Sequence, residues 1–271
     1  MRRFLSGGTL LLLSTVTFSL QAQSGSAPPP PPNILQIGRE EVKVGRRAEH
    51  AAFEAGWPAV FSKYKYPTNY LAMTSTTGPN EAWYVTPYPS LSAMEKDNDM
   101  SNSNAAMTAE LGKLSKGDAE FINNNTSMVA RLVPGMTYGG PMSIPNMRYF
   151  EVVTWRVRPG HDSDFMKVAS MYRDANAKAK IDQPWVMYRV VSGAPSGTYM
   201  VWIPMSSLSV MDAGPAQGKA WTDAAGDEAL QTMGKLVSDG VVSSSSQIFE
   251  FSPKMSYVSK EWKAANPSFW K

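Results

Sequence analysis

The chain contains no cysteine and only two histidines, His50 and His161, among 271 residues. The missing cysteine excludes disulfides, thiolate metal sites, cysteine nucleophiles and a lipid-modified N-terminal cysteine, so an exported form is held by its core alone. The scarcity of histidine leaves little material for haem or metal chemistry. A surplus of one charge is absent too. The formal net charge is +3, and Arg2 and Arg3 supply two of those charges at the N-terminus. The remainder is nearly neutral and offers no basic stripe to a phosphate backbone, so nucleic acid is not an expected partner. No HExxH, GxSxG, phosphate-cradling glycine loop or zinc spacing occurs. No catalytic residue, metal or cofactor is therefore assigned from motifs.

Long hydrophobic runs are missing as well. The apolar stretch from Thr9 to Leu20 is shorter than the roughly 20 residues that cross a bilayer. Preceded by two arginines and followed by small and polar residues, it reads as an export signal over 1–22, cleaved after Ala22. An uncleaved anchor is the competing reading. The proline-rich stretch 23–32 reads as a linker. The expectation is a bacterial protein exported to the periplasm or the medium, without a membrane anchor once the signal is removed.

What the chain has in plenty is ordinary core material, 43% hydrophobic residues, and an internal repeat. Pro87, Ser90, Leu91, Ser92, Met94 and Glu95 are answered by Pro204, Ser207, Leu208, Ser209, Met211 and Asp212. With a shift of 115 or so residues, Val42-Lys43-Val44-Gly45 matches Val157-Arg158-Pro159-Gly160, and Gly78 matches Gly193. Leu111-Gly112-Lys113-Leu114 is echoed by Met233-Gly234-Lys235-Leu236. Each half reads strand, helix, hairpin, helix, strand, with the proline expected to stop the third strand and the serine to cap a helix. Asp162 or Ser163 is placed to cap the long helix of the second half. The predicted fold is α+β: two ferredoxin-like β-α-β-β-α-β modules over 33–138 and 148–257, joined by a linker over 139–147. An aromatic tail, 258–271, follows and carries Trp262, Phe269 and Trp270. It is placed to cap the barrel, cover an edge strand or meet a partner protein.

The run GPNEAWYVTPYPSLSAME, together with the strand, Val-x-x-Gly, amphipathic helix and hairpin around it, resembles the dimeric α+β barrel superfamily and NIPSNAP-like domains in particular. The resemblance spans nearly all of residues 33 to 257. It implies that the two modules pair their antiparallel sheets into a barrel within one chain. That superfamily includes oxygenases, haem enzymes, isomerases and binding modules, so the fold does not select a function. The Asn, Trp and His set of the haem-degrading relatives has no match here.

Candidate site residues come from the aromatic strands. Alternation puts Glu151, Val153 and Trp155 on one face and Phe150, Val152 and Thr154 on the other. If the Phe150 face meets the helices, Glu151 and Trp155 look into the barrel, with Tyr188 and Trp202 as walls and Arg189 as partner of the acid. Side chains that simply fill the barrel are the favoured reading of the same residues, because small barrels are usually packed solid. His50 reads as a packing histidine, His161 as a solvated turn residue, and Glu40 and Glu41 as edge or solvent-facing charges. The reading that follows is a binding module for a small apolar or aromatic ligand. The alternatives are a cofactor-independent oxygenase or isomerase using an acid in the barrel, and a protein-interaction module.

Overall fold

The segments Leu71–Ser75, Glu81–Tyr88 and Thr198–Met205 are buried on both faces along most of their length, as strands of a closed sheet under helices are. The structure, a computed structural model, describes residues 28–271. The expected signal sequence and its cleavage point lie outside the described residues. The strands are β1 (Ile34–Val42), β2 (Leu71–Ser75), β3 (Glu81–Tyr88), β4 (Ile122–Tyr138), β5 (Tyr149–Val157), β6 (Trp185–Ser192), β7 (Thr198–Met205) and β8 (Val241–Phe251). The helices are α1 (Arg47–Glu54), α2 (Gly56–Lys63), α3 (Leu91–Ser103), α4 (Ala105–Asp118), α5 (Asp162–Ala179), α6 (Gly214–Ala225), α7 (Asp227–Gly240) and α8 (Lys260–Ala265). None of them is long and apolar enough to cross a membrane.

The strands close into one antiparallel barrel in the order β1-β3-β2-β8-β5-β7-β6-β4. Read around that ring, the strands of the first half run β4-β1-β3-β2 and those of the second β8-β5-β7-β6, the same order twice. The halves meet along β2–β8 and β4–β6. Among the described residues, closure leaves no edge strand for the C-terminal tail to cover.

Three local expectations change in the structure. Pro87 and Pro204 do not stop their strands: they pair opposite Leu35 and Phe150, and the strands run on to Tyr88 and Met205. A proline near a strand end forfeits one donor while its carbonyl still pairs. Ser90 then caps α3 by accepting from the Ala93 N–H at 3.1 Å. The first helix is broken in the first half and continuous in the second, because Pro58 has no N–H and its ring crowds the Glu54 carbonyl; α1 ends at Glu54 and α2 starts at Gly56. Asp162 does not cap α5, whose N-cap is His161.

The barrel interior is occupied by buried, largely aromatic side chains. Ile37, Met73, Trp83, Phe150, Val152, Tyr188, Met200, Trp202 and Phe249 form one buried cluster, with ring centroids 4.4 Å apart for Trp83–Phe249 and 5.2 Å for Phe150–Trp202. The tail closes one mouth: Trp270 joins this cluster and its indole N–H donates to the Pro145 carbonyl at 2.7 Å. Phe150 and Val152 thus point inward, which puts Glu151, Val153 and Trp155 on the outer face of β5, beneath the helices.

Candidate functional site

A cavity of about 700 Å³ lies between the outer face of the second-half sheet and the helices that cover it. Its floor is the outward-facing set of three strands: Glu151, Val153 and Trp155 on β5, Trp185 and Met187 on β6, and Val201, Ile203 and Met205 on β7. Period-two alternation is what lines these side chains up on one face. Phe165, Val168, Ala169, Tyr172 and Asn176 of α5 form one wall at helical spacing. Trp221 of α6 and Leu230, Met233 and Val237 of α7 form the roof.

The lining is apolar with few polar groups, the usual composition of a small-molecule site. Glu151 accepts from the Ser246 hydroxyl at 2.6 Å. Tyr172, whose ring stands 4.9 Å from that of Trp221, has its phenol held above the ordinary range by burial and by the Glu151 charge. The Trp185 indole N–H is buried without a hydrogen-bond partner. Gln183 donates to the Pro204 carbonyl at 2.9 Å.

Gly218 and Gly234 also line the cavity, in the interiors of α6 and α7. A Cβ added at either would meet nothing within 4 Å. Interior helical glycine is unfavourable by about 1 kcal/mol relative to alanine, and no tight packing contact accounts for it here. What these glycines provide is open space over the sheet.

The structure separates the residues expected to form one site. Glu151 and Trp155 share the cavity. Tyr188 and Trp202 sit in the barrel interior, on the opposite side of the sheet. Arg189 is not the partner of Glu151: it pairs with Asp162 at 3.2 Å and lies over the Tyr199 ring at 5.5 Å. Tyr199 donates to the same Asp162 at 2.6 Å, and burial, that hydrogen bond and the Asp162 charge push its phenol up to about 12. His161 is half-buried and pairs with Asp164 at 2.8 Å.

Sequence reasoning missed a second group altogether. Glu40 is 7% exposed and His50 1%, so neither an edge charge nor simple packing describes them. Their positions, 115 residues before Trp155 and Phe165, were the available signal: an acid and an imidazole stand where the other half has aromatic rings.

No protein-family model matches the chain, and comparison with curated proteins gives no match. Solved structures do match. An anthrone oxidase-like protein superposes with TM-score 0.56 at 10% identity over 84% of this chain and 94% of that one. A protein proposed to be a monooxygenase, from Fusobacterium nucleatum subsp. nucleatum, gives 0.52 at 9% over 82% and 93%. A chlorite dismutase variant from Candidatus Nitrospira defluvii gives 0.49 at 8% over 83% and 92%. The likeness to the first two shows the fold alone: this chain shares with them an α+β barrel, here of eight antiparallel strands.

The cavity offers haem neither an imidazole nor a thiolate ligand. Its lining includes no histidine, cysteine, lysine or arginine, so the usual axial nitrogen and thiolate ligands and the cationic partners for propionates are lacking.

Proposed function

We propose that the chain is an exported binding protein whose second half holds a small, largely apolar, ring-containing molecule between the sheet and α5–α7. The observation that carries this reading is the cavity of about 700 Å³ with aromatic and aliphatic walls, a size suited to a molecule of two to four fused or linked rings. Trp155, Phe165, Tyr172, Trp185 and Trp221 supply flat surfaces. Glu151, Asn176 and the unpartnered Trp185 N–H supply the few polar contacts that orient a ligand. The repeated strand order supports a tandem duplication of a ferredoxin-like module over 33–138 and 148–257, and the run GPNEAWYVTPYPSLSAME is what supports a NIPSNAP-like kinship. Residues 1–22 support export, and an intact mass beginning near Gln23 is the expected result for the exported protein.

Native mass spectrometry of the protein purified from its producing cells tests for a co-purifying ligand. Titration with the neutral fluorophore N-phenyl-1-naphthylamine tests the cavity directly. One equivalent is expected to bind the parent chain and to be lost in Gly218→Trp and Gly234→Trp, where the indole fills open space. Binding unchanged by both substitutions, or no binding at all, would refute the reading.

Cofactor-independent oxygenation or isomerisation is the second reading. Glu151 favours it, being a carboxylate on an apolar wall beside a phenol, the setting of a general base. The anthrone oxidase-like protein of similar fold suggests anthrone as the first substrate to try. Oxygen uptake that disappears in Glu151→Gln would select catalysis; binding without turnover would select the binding module.

A further inference from the structure

The first half carries no counterpart of the cavity's apolar lining at the equivalent place. Glu40, His50 and Glu54 stand 115 residues before Trp155, Phe165 and Ala169, all three of which line the cavity. Under the first-half helices these residues converge with Asp118. Glu40 projects from the outer face of β1, His50 and Glu54 lie one turn apart on one face of α1, and Asp118 ends α4.

Every member is buried: Glu40 7% exposed, His50 1%, Glu54 3% and Asp118 3%. One donor atom from each lies within 4.8 Å of all the others. His50 Nε2 is 3.0 Å from Glu40 Oε2 and 3.5 Å from Asp118 Oδ1, close to the roughly 3.0–3.5 Å that separates two ligands each about 2.1 Å from one ion. Glu54 Oε1 and Asp118 Oδ1 have no hydrogen-bond partner. Asn125 donates to the other Glu40 oxygen at 3.1 Å and so orients this carboxylate from outside the cluster. Among the described residues, no lysine or arginine pairs with any of the three carboxylates.

Three buried carboxyl groups with no lysine or arginine among them, and only the His50 imidazole between them, are expensive unless something neutralises them. We propose that Glu40, His50, Glu54 and Asp118 hold a divalent transition-metal cation, Mn²⁺, Fe²⁺ or Zn²⁺, between β1 and the α1/α4 pair. Three oxygens and one imidazole nitrogen form a mixed donor set suited to these ions and not to the all-oxygen cages of Mg²⁺ or Ca²⁺. Protons are the competing neutraliser. Burial first, then the Glu40 charge, raises the Glu54 carboxyl to about 8 and that of Asp118 to about 6. Cation uptake therefore displaces protons.

Chelator-treated full-length protein is dialysed at neutral pH against MnCl₂, ZnCl₂ and, under nitrogen, FeCl₂, and bound metal is counted by plasma mass spectrometry. One ion per chain is expected at about 10 µM or less free metal, together with a rise in Tm on metal addition that EDTA reverses. Glu54→Gln and His50→Gln are expected to weaken binding about 100-fold or more. Failure of the parent chain to take up any of the three ions, or uptake that survives both substitutions, overturns the assignment. Should both variants fail to fold, the parent decides: a Tm indifferent to all three metals and to EDTA means the cluster is neutralised by protons, and the proposal is lost.

Discussion

Ser246 on β8 donates its hydroxyl to Glu151 on β5 across the outer face of the barrel, at 2.6 Å. This bond gives the only acid in the cavity lining a partner before any ligand enters. Replacing Glu151 with Gln keeps an acceptor for Ser246 and removes the charge. The variant is expected to fold with a Tm within a few degrees of the parent. It should bind neutral fluorophores unchanged and lose about tenfold in affinity for ligands that present a cation or a strong donor. The Tyr172 phenol, held up in part by the Glu151 charge, should titrate lower in the variant. Ultraviolet absorbance of phenolate against pH checks it, and an unmoved Tyr172 would mean that the charge does not reach it.

The pairing of Glu151 with Trp155 was legible in the sequence because alternation is a local property. Which side they face was not. In a closed barrel under helices both faces are buried, and β5 places a polar residue on each, Glu151 on one and Thr154 on the other, so patterning alone does not tell interior from exterior. The order of strands and helices was legible from the repeat. The cluster around His50 was not, since Glu40 and Asp118 are 78 positions apart in sequence and are brought together only in the fold, both against the His50 imidazole. That side chains fill the barrel was a reading the sequence offered; the particular ring contacts of Trp83 with Trp202 and Phe249 that fill it are ones no spacing rule reports.

Gly78 and Gly193 occupy matching hairpins with φ of +79° and +84°, and they should nevertheless tolerate alanine differently. Both substitutions carry the cost of the left-handed region, about 1–2 kcal/mol. At Gly78 the new Cβ meets the end of the Gln247 side chain at 2.9 Å, which can move; at Gly193 it meets the Ser127 carbonyl oxygen at 2.1 Å, which is part of β4. Gly193→Ala is expected to lower unfolding free energy by about 2 kcal/mol or more beyond Gly78→Ala. Urea denaturation of the two variants measures the difference, and equal losses would refute the clash.

The tail is structural in this fold. Trp270 is 2% exposed, packs on Phe251 and Trp262 at 6.3 and 5.4 Å, and donates to Pro145. Trp270→Ala removes a buried ring and leaves the Pro145 carbonyl without this donor, a loss of about 3–5 kcal/mol. Trp270→Phe keeps most of the ring area and is expected to lose less than half of that. A tail that serves only a partner protein would give parent-like Tm in both variants.

In metal-stripped protein the His50 cluster predicts a falling stability with rising pH. The Glu54 carboxyl is raised from 4.5 to about 8 and Asp118 from 3.8 to about 6, in both cases chiefly by burial. Between the unfolded and folded values the native state keeps a proton that the unfolded chain has released. Stability therefore decreases as pH rises through that interval. The contribution is fully present below about pH 4, falls most steeply up to about pH 6, where both acids contribute, falls more gently from about 6 to 8, where Glu54 alone does, and levels off above that. The total lost is on the order of several kcal/mol, since each unit of displacement corresponds to about 1.4 kcal/mol. Glu54→Gln removes the larger displacement, so its profile should be flatter above pH 6 than that of the parent. Urea denaturation of EDTA-treated parent and variant between pH 4 and 9 decides it: a parent whose stability rises across this range, or a variant with the parent's slope, contradicts the burial of these acids.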